Sequence, residues 1–273
     1  MDLSPNRVLS YVKYRWNQRV RLDREHHASL RALFALFAPQ QAQGKRKIRI
    51  GSSRDGGYVM LDDFQGIDAA LSLGVGPDVS WDLALAERGV PVWQYDHTVA
   101  GPPRDHPLFH FERKQIVAEG SSVNTLTLNA LLRKLTGNQL VLKMDIEGDE
   151  WSVLAALESE LVTQCRQIVI EFHHFLSIGN PAWHQRARQA LEILTRDFGV
   201  VHVHANNLSK HILLDGDSLP DSIEVTLANR RYYDLESTTE VFPGPHDRKN
   251  NLFFPDFHLG RFQFSRSGEG KPD

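Results

Sequence analysis

The sequence predicts an α/β protein: a mostly parallel sheet with helices on both faces, entered through a helical N-terminal extension. Three observations carry that prediction. From about residue 67 onward, short apolar runs alternate with stretches of helical period, the pattern of strands joined by crossover helices. The run Leu71-Ser72-Leu73 stops at Gly74 and Gly76 and leads into a helical pattern near Ser80. A second junction of this kind lies at Leu140–Ile146, which stops at Gly148 ahead of a helical pattern starting at Glu150.

Residues 1–47 form the extension. Leu9, Val12 and Trp16, then Leu30, Leu33, Phe34 and Phe37, recur at helical spacing as far as about residue 42. Lys13, Arg15, Arg19, Arg21 and Arg24 crowd the same stretch; they form the solvated side of a packing helix or a face for an anionic surface. Gln40 to Lys47 is polar and reads as a connector. Ile48 to Phe64 reads as short extended pieces around the turn Asp55-Gly56-Gly57, where glycine adopts angles other residues avoid.

The strand candidates follow in order: Ala69–Leu73, Val90–Tyr95, Leu108–Phe111, Leu140–Ile146, Ile168–Phe172, Val200–Val203 and Ile223–Leu227. Helical patterns fill Ser80–Arg88, Asn124–Leu135, Glu150–Leu161 and Trp183–Phe198. Between Val203 and Ile223 no long helical pattern exists, so at least one late strand is expected to run antiparallel. The main domain is placed at 48–264. The polar, Gly-containing tail 265–273 is expected to be disordered.

Composition narrows the function classes. With 41% hydrophobic and 24% charged residues, the 273-residue chain can build a sizeable core. A net charge of −3 lacks the basic footprint of a general nucleic-acid binder. The single cysteine, Cys165, excludes an intrachain disulfide and suits a reducing compartment. No run of about 18 apolar residues and no apolar signal core are found, so a cytoplasmic protein is expected.

The chemistry concentrates in Leu142-Lys143-Met144-Asp145-Ile146-Glu147-Gly148-Asp149-Glu150. Side chains two apart on a strand share a face, so Asp145 and Glu147 project into one space at the carboxyl end of a buried strand, where open α/β sheets bind ligands. Upstream, the glycines of Leu73-Gly74-Val75-Gly76 let backbone approach a ligand, and Asp96 ends the next strand, where an acid commonly takes ribose hydroxyls. Val79 stands where a dinucleotide fingerprint wants a third small residue, and no Walker lysine is present. A ligand with ribose but no pyrophosphate fits better, and S-adenosylmethionine is the obvious one.

These residues together resemble the class I S-adenosylmethionine-dependent methyltransferases, and within them the FkbM-like group. The stretch Leu142 to Glu150 is similar to that group's "LKIDVEGAE" signature, with Thr125-Leu126 before it and Ile168-Val169-Ile170-Glu171 after it resembling the flanking elements. Asp55-Gly56-Gly57-Tyr58 looks like a segment upstream of the core in some relatives. The resemblance covers roughly residues 68 to 175. It implies a Rossmann-like fold, cofactor at Gly74, Gly76 and Asp96 with Asp145 beside the methionine moiety, and transfer to a hydroxyl of a sugar or related small molecule. Two departures stand out: Ser72 replaces the acid two before Gly74, and Asp78 replaces the third glycine of the loop. Asp96 also stands where relatives often show Glu-Pro.

Transfer to a hydroxyl benefits from a general base, for which His173 or His174 is the candidate. Asp145, Glu147, Glu171 and His173 are alternatively a ligand set for Mg²⁺ or Mn²⁺ that would acidify the hydroxyl. His202 and His204 alternate on a later strand and read as structural. The expected partner is a small-molecule or glycan acceptor, with no nucleic acid. An NAD(P)-dependent enzyme, a metal-dependent hydrolase and a non-catalytic binding protein remain the rival readings.

Overall fold

Seven strands assemble side by side in the computed structural model, which describes residues 19–21, 24–120, 122–135, 137, 139–214 and 217–264. They are β1 (Ala69–Leu73), β2 (Val92–Tyr95), β3 (Phe109–Glu112), β4 (Leu140–Met144), β5 (Cys165–Phe172), β6 (Phe198–Ala205) and β7 (Ile223–Asn229). Their spatial order is β6-β7-β5-β4-β1-β2-β3. All pairs are parallel except those of β7, which runs antiparallel to both β5 and β6. The late antiparallel strand is thus found. Strand order reverses between β1 and β4, and this switch point opens the crevice in which such sheets bind ligands.

Six helices accompany the sheet among the described residues: α1 (Arg24–Phe34), α2 (Ser80–Ala86), α3 (Leu128–Lys134), α4 (Glu150–Ala155), α5 (Ser159–Val162) and α6 (Pro181–Asp197). Every residue of β1 and β4 is buried, as expected of strands covered on both faces. Alternation divides them. Leu71, Leu73, Leu140, Leu142 and Met144 join a core with Trp151, Leu154 and Leu191 of α4 and α6. Ala70 and Val141 face Trp81 and Leu85 of α2, together with Ile50, Tyr58 and Met60. Helix α6 starts where Asn180 Oδ1 accepts from the amides of Ala182 and Trp183, and Pro181 opens its first turn.

Several elements differ from the sequence pattern, each for a local reason. Of the helix expected to about residue 42, the described residues hold α1 and a 3-10 turn at Ala35–Phe37; Arg19–Arg21 is extended and pairs with His211–Leu213. Residues 1–18, with Leu9, Val12 and Trp16, lie outside the described residues, as does the tail 265–273. The connector contributes a strand, Gln40–Ala42, because Leu235–Ser237 supplies a partner. Helix α3 starts at Leu128 rather than Asn124: Thr125–Thr127 pairs with Gln115–Val117, and Thr127 Oγ1 caps the Ala130 amide at 3.2 Å. The pattern from Glu150 to Leu161 is broken because Asn129 of α3 donates to the Ala156 carbonyl and accepts from the Glu158 amide, both at 2.9 Å. Those two bonds replace helical ones.

Two outer pieces reach the sheet's carboxyl edge. A hairpin of Lys47–Ile50 and Tyr58–Leu61, the extended pieces read from the sequence, is tied down from below. Gln167 of β5 exchanges two hydrogen bonds with the Leu61 backbone, and Thr226 of β7 donates to the Val59 carbonyl. The C-terminal segment after Ser237 returns over α1, where Phe262 and Phe264 pack on Phe34. Among the described residues no helix is long and apolar enough to cross a membrane.

Candidate functional site

Register brings the two sequence junctions together. Met144 pairs with Leu73, so Gly74 and Asp145 leave the sheet side by side, and the Asp145 amide donates to the Leu73 carbonyl at 2.9 Å. Gly74 has φ 80°, and a Cβ there would overlap the Asp145 carbonyl. Only glycine fits this crossing. Gly76 also has positive φ, with open space beside it. Asp96 ties the loop down: its Oδ2 accepts from the amides of Val75 and Gly76, and its Oδ1 from the amide and hydroxyl of Thr98. Burial alone would raise the Asp96 pKa, but these bonds outweigh it and hold the carboxyl below its usual range.

A cavity of about 470 Å³ opens above this loop, within the size range of small-molecule sites. Gly74, Gly76 and Asp96 line it on one side; Asp145 and Glu147 line it beyond. Glu171, His173 and His174 do not. The far wall comes from residues that sequence reasoning did not assign: Tyr58, Asp55 and Asn250, with Lys143 at the back. The Asp55-Gly56-Gly57-Tyr58 turn was a visible signal for the first two. Asn250, some 100 residues from the motif, had none.

Asp145 sits at the centre. Its Oδ2 accepts from the Tyr58 hydroxyl at 3.1 Å, while its Oδ1 meets no hydrogen-bond donor. Burial first, then the charge of Glu171, push its pKa well up, against the opposing pull of Lys143 and His173. Its neighbour Glu171 stays ionised. Although buried, Glu171 is bonded to His173, Asn206 and Ser222, and these hold its pKa down.

His173 faces carboxylates on both ring nitrogens. Nδ1 lies 3.2 Å from Glu150, and Nε2 lies 3.5 Å from Glu171, 3.9 Å from Glu147 and 4.0 Å from Asp145. Burial would lower its pKa, but the bonds and charges of Glu150 and Glu171 raise it to about 11. Near neutral pH this ring is an imidazolium with no lone pair for a proton, at odds with the expected role as base. Glu150 is fully buried and accepts from the amides of Ile146 and Gly148, fixing the loop that carries Glu147. Glu147 itself is 87% exposed with φ 58°. His174, also at positive φ, packs its ring against Gly148, where a Cβ would collide with it.

Charged groups continue across the sheet beyond Asp145. Glu171, Glu224 and His204 are cross-strand partners on β5, β7 and β6. Burial and Glu171 raise the Glu224 pKa; for His204, burial is overcome by Glu224 and Asp256, which raise it to about 10. Asn250 bridges Glu224 and Asp55. His202 is buried, held neutral by that burial, and bonded to Asp247 at 2.7 Å. Among the described residues, two triads have carboxylate or ring atoms close enough to share a cation: Asp145, Glu171 and His173, and Asp55, Glu171 and Glu224. Glu147, expected in the first set, is in neither.

A comparison with curated proteins gives no match. The family model of the methyltransferase FkbM domain matches residues 37–200, a span holding the Tyr58 hairpin, the glycine loop, Asp96, the Asp145–Glu150 turn and both histidines. It ends inside β6, short of Glu224 and Asn250. With well over half of the 273 residues inside that match, the chain belongs to the FkbM methyltransferase family.

Proposed function

We propose that the protein transfers a methyl group from S-adenosylmethionine to a hydroxyl oxygen of a sugar or related small molecule. One observation carries the reading: a single cavity runs from the Gly74–Gly76 loop and Asp96 to the Asp145–Tyr58 pair. The loop side offers backbone without side chains and an acid-anchored turn, which suits a nucleoside. The other side offers hydroxyl-binding groups, which suits the acceptor. When bound, S-adenosylmethionine supplies an electrophilic methyl carbon on a sulfonium.

The chain's own residues then have positioning to do, which supplies much of the rate of a transfer from an already reactive donor. Asp145 lines the cavity with its side chain a quarter exposed, but Oδ1 is sealed in and faces His173 Nε2 at 4.0 Å, so an acceptor hydroxyl would bond at Oδ2. Tyr58 donates to the same Oδ2 and so fixes the carboxylate's plane beside the acceptor. In its ionised form Asp145 takes the hydroxyl proton as the C–O bond forms; burial and Glu171 make it a stronger base than an ordinary carboxylate. His173 is the fixed positive charge behind the acids. Asp145, Glu171 and His173 could hold a divalent ion, which would acidify the acceptor hydroxyl when bound; no step is assigned to it.

Calorimetry with S-adenosylhomocysteine and transfer of labelled methyl to a panel of sugars and hydroxylated small molecules test the reading. Wild type should bind the cofactor product and label a hydroxyl. Asp145→Asn should bind it comparably yet transfer about tenfold less or worse. Absence of binding, or labelling confined to amines, would sink the proposal.

A further inference from the structure

Behind the glycine loop four polar side chains are buried together. Lys143 on β4, Ser72 on β1 and Gln94 on β2 stand side by side in register. Asp82 of α2 joins them, its Oδ1 accepting from Gln94 Nε2 at 2.9 Å. Ser72, Asp82 and Gln94 are fully inaccessible and Lys143 is 4% exposed. Polar groups between a sheet and a helix gain little over apolar ones of the same size. Here Ser72 Oγ, Asp82 Oδ2 and Gln94 Oε1 make no hydrogen bond of good geometry, although the Ser72 hydroxyl lies close enough to Asp82 to lower its pKa. Stability alone does not account for such a cluster.

Lys143 alone reaches out of it. Its Nζ donates to the Gly74 carbonyl at 2.6 Å, and it lines the cavity. Its charge draws down the pKa of Asp82 and of Asp145, in each case against the burial that raises it. The Gly74 amide is already held by the Tyr95 carbonyl at 3.0 Å, and the next two amides by Asp96. The Lys143 bond therefore completes the anchoring of the loop at the crossing where no side chain fits.

We propose that Lys143 is a positioning residue for methyl transfer: with Asp82 as its buried counter-charge, it holds the Gly74 carbonyl and fixes the cofactor loop against the Asp145 carboxylate. This rests on the function proposed above. Asp82 supplies an opposite charge to the buried ammonium through space, Lys143 lowering its pKa against burial, while its own hydrogen bond goes to Gln94.

The test uses Lys143→Met and the double variant Asp82→Asn/Lys143→Met, with two readouts. S-adenosylhomocysteine affinity is measured by calorimetry, and amide exchange of the peptide around residues 70–80 by mass spectrometry without ligand. Lys143→Met should weaken binding roughly tenfold or more, as expected for losing a charge-assisted hydrogen bond, and should speed exchange at Val75 and Gly76. The double variant removes the unpaired buried charge, so its melting temperature should recover towards wild type, while affinity and loop protection do not. It also carries the test if Lys143→Met does not fold. Wild-type affinity and protection in the double variant would overturn the proposal and reduce Lys143 and Asp82 to a mutual neutralisation. If wild type itself fails to bind S-adenosylhomocysteine, the functional reading falls separately, and the exchange readout alone decides for or against Lys143.

Discussion

At the scale of single residues, the site is governed by which groups keep their charge. Asp96 is bonded on both oxygens by the two loops it joins, so it shapes the nucleoside pocket before any ligand arrives. Asp96→Ala should therefore weaken S-adenosylhomocysteine binding by about 1–3 kcal/mol, the cost of orphaning buried donors; unchanged calorimetry in the folded variant would take Asp96 out of the site. His173 makes a pH prediction of definite sign. Its folded pKa, about 11, lies above the unfolded value of about 6.5. The stability it contributes is complete below about pH 6.5 and is lost as pH rises towards the folded value. The melting temperatures of wild type and His173→Gln should thus draw together between about pH 6.5 and the folded value. The same substitution removes a cation that stabilises ionised Asp145, so the rise of transfer rate with pH should move to higher pH. A profile that instead rises through about 6.5 and vanishes in His173→Gln would restore histidine as the base.

At the scale of elements, the hairpin of Lys47–Ile50 and Tyr58–Leu61 makes a crevice into a cavity. It rides on the sheet through Gln167 and Thr226 and delivers the Tyr58 hydroxyl to Asp145. Tyr58→Phe keeps the buried ring and removes one hydrogen bond to a carboxylate. Melting should change little while transfer falls about tenfold, the scale of one bond to a charged group. Gln167→Leu should do the reverse at a distance: it strands the Leu61 amide and carbonyl, lowering stability by roughly 1–3 kcal/mol and speeding amide exchange in Tyr58–Leu61. Equal exchange there would show that the hairpin is held by its apolar packing alone.

For the molecule as a whole, the N-terminal helix and the C-terminal segment share one aromatic cluster with the main core. Phe34 stacks on Phe175 at 4.7 Å and meets Phe262 edge-on at 5.5 Å, so the first described helix and the last described residues stabilise the domain between them. Phe262 is 2% exposed. Phe262→Ala should cost about 3–5 kcal/mol, as large-to-small changes in a core do, and lower the melting temperature without altering cofactor affinity in the folded fraction. A near-silent substitution would mean that this segment lies on the core without supporting it.

What the sequence determined by itself is what local periodicity encodes. All seven sheet strands and the switch from parallel to antiparallel follow from apolar runs and the spaces between them, as does the placing of Gly74 and of Asp145 each at the carboxyl end of a strand; that the two meet is decided by the register of β1 against β4. Element boundaries were less legible where a distant side chain intervenes: Asn129 breaks the helix after Ala155, and Leu235–Ser237 turns a connector into a strand. The tertiary structure alone decided which titratable groups meet. No spacing rule brings Tyr58 to Asp145 across 87 residues, or Asn250 to Glu224 and Asp55. Nor does any spacing reveal that His173 is ringed by four carboxylates. A histidine's charge depends on the field at its ring, and that field is summed over atoms the fold brings within a few ångströms, whatever their separation along the chain.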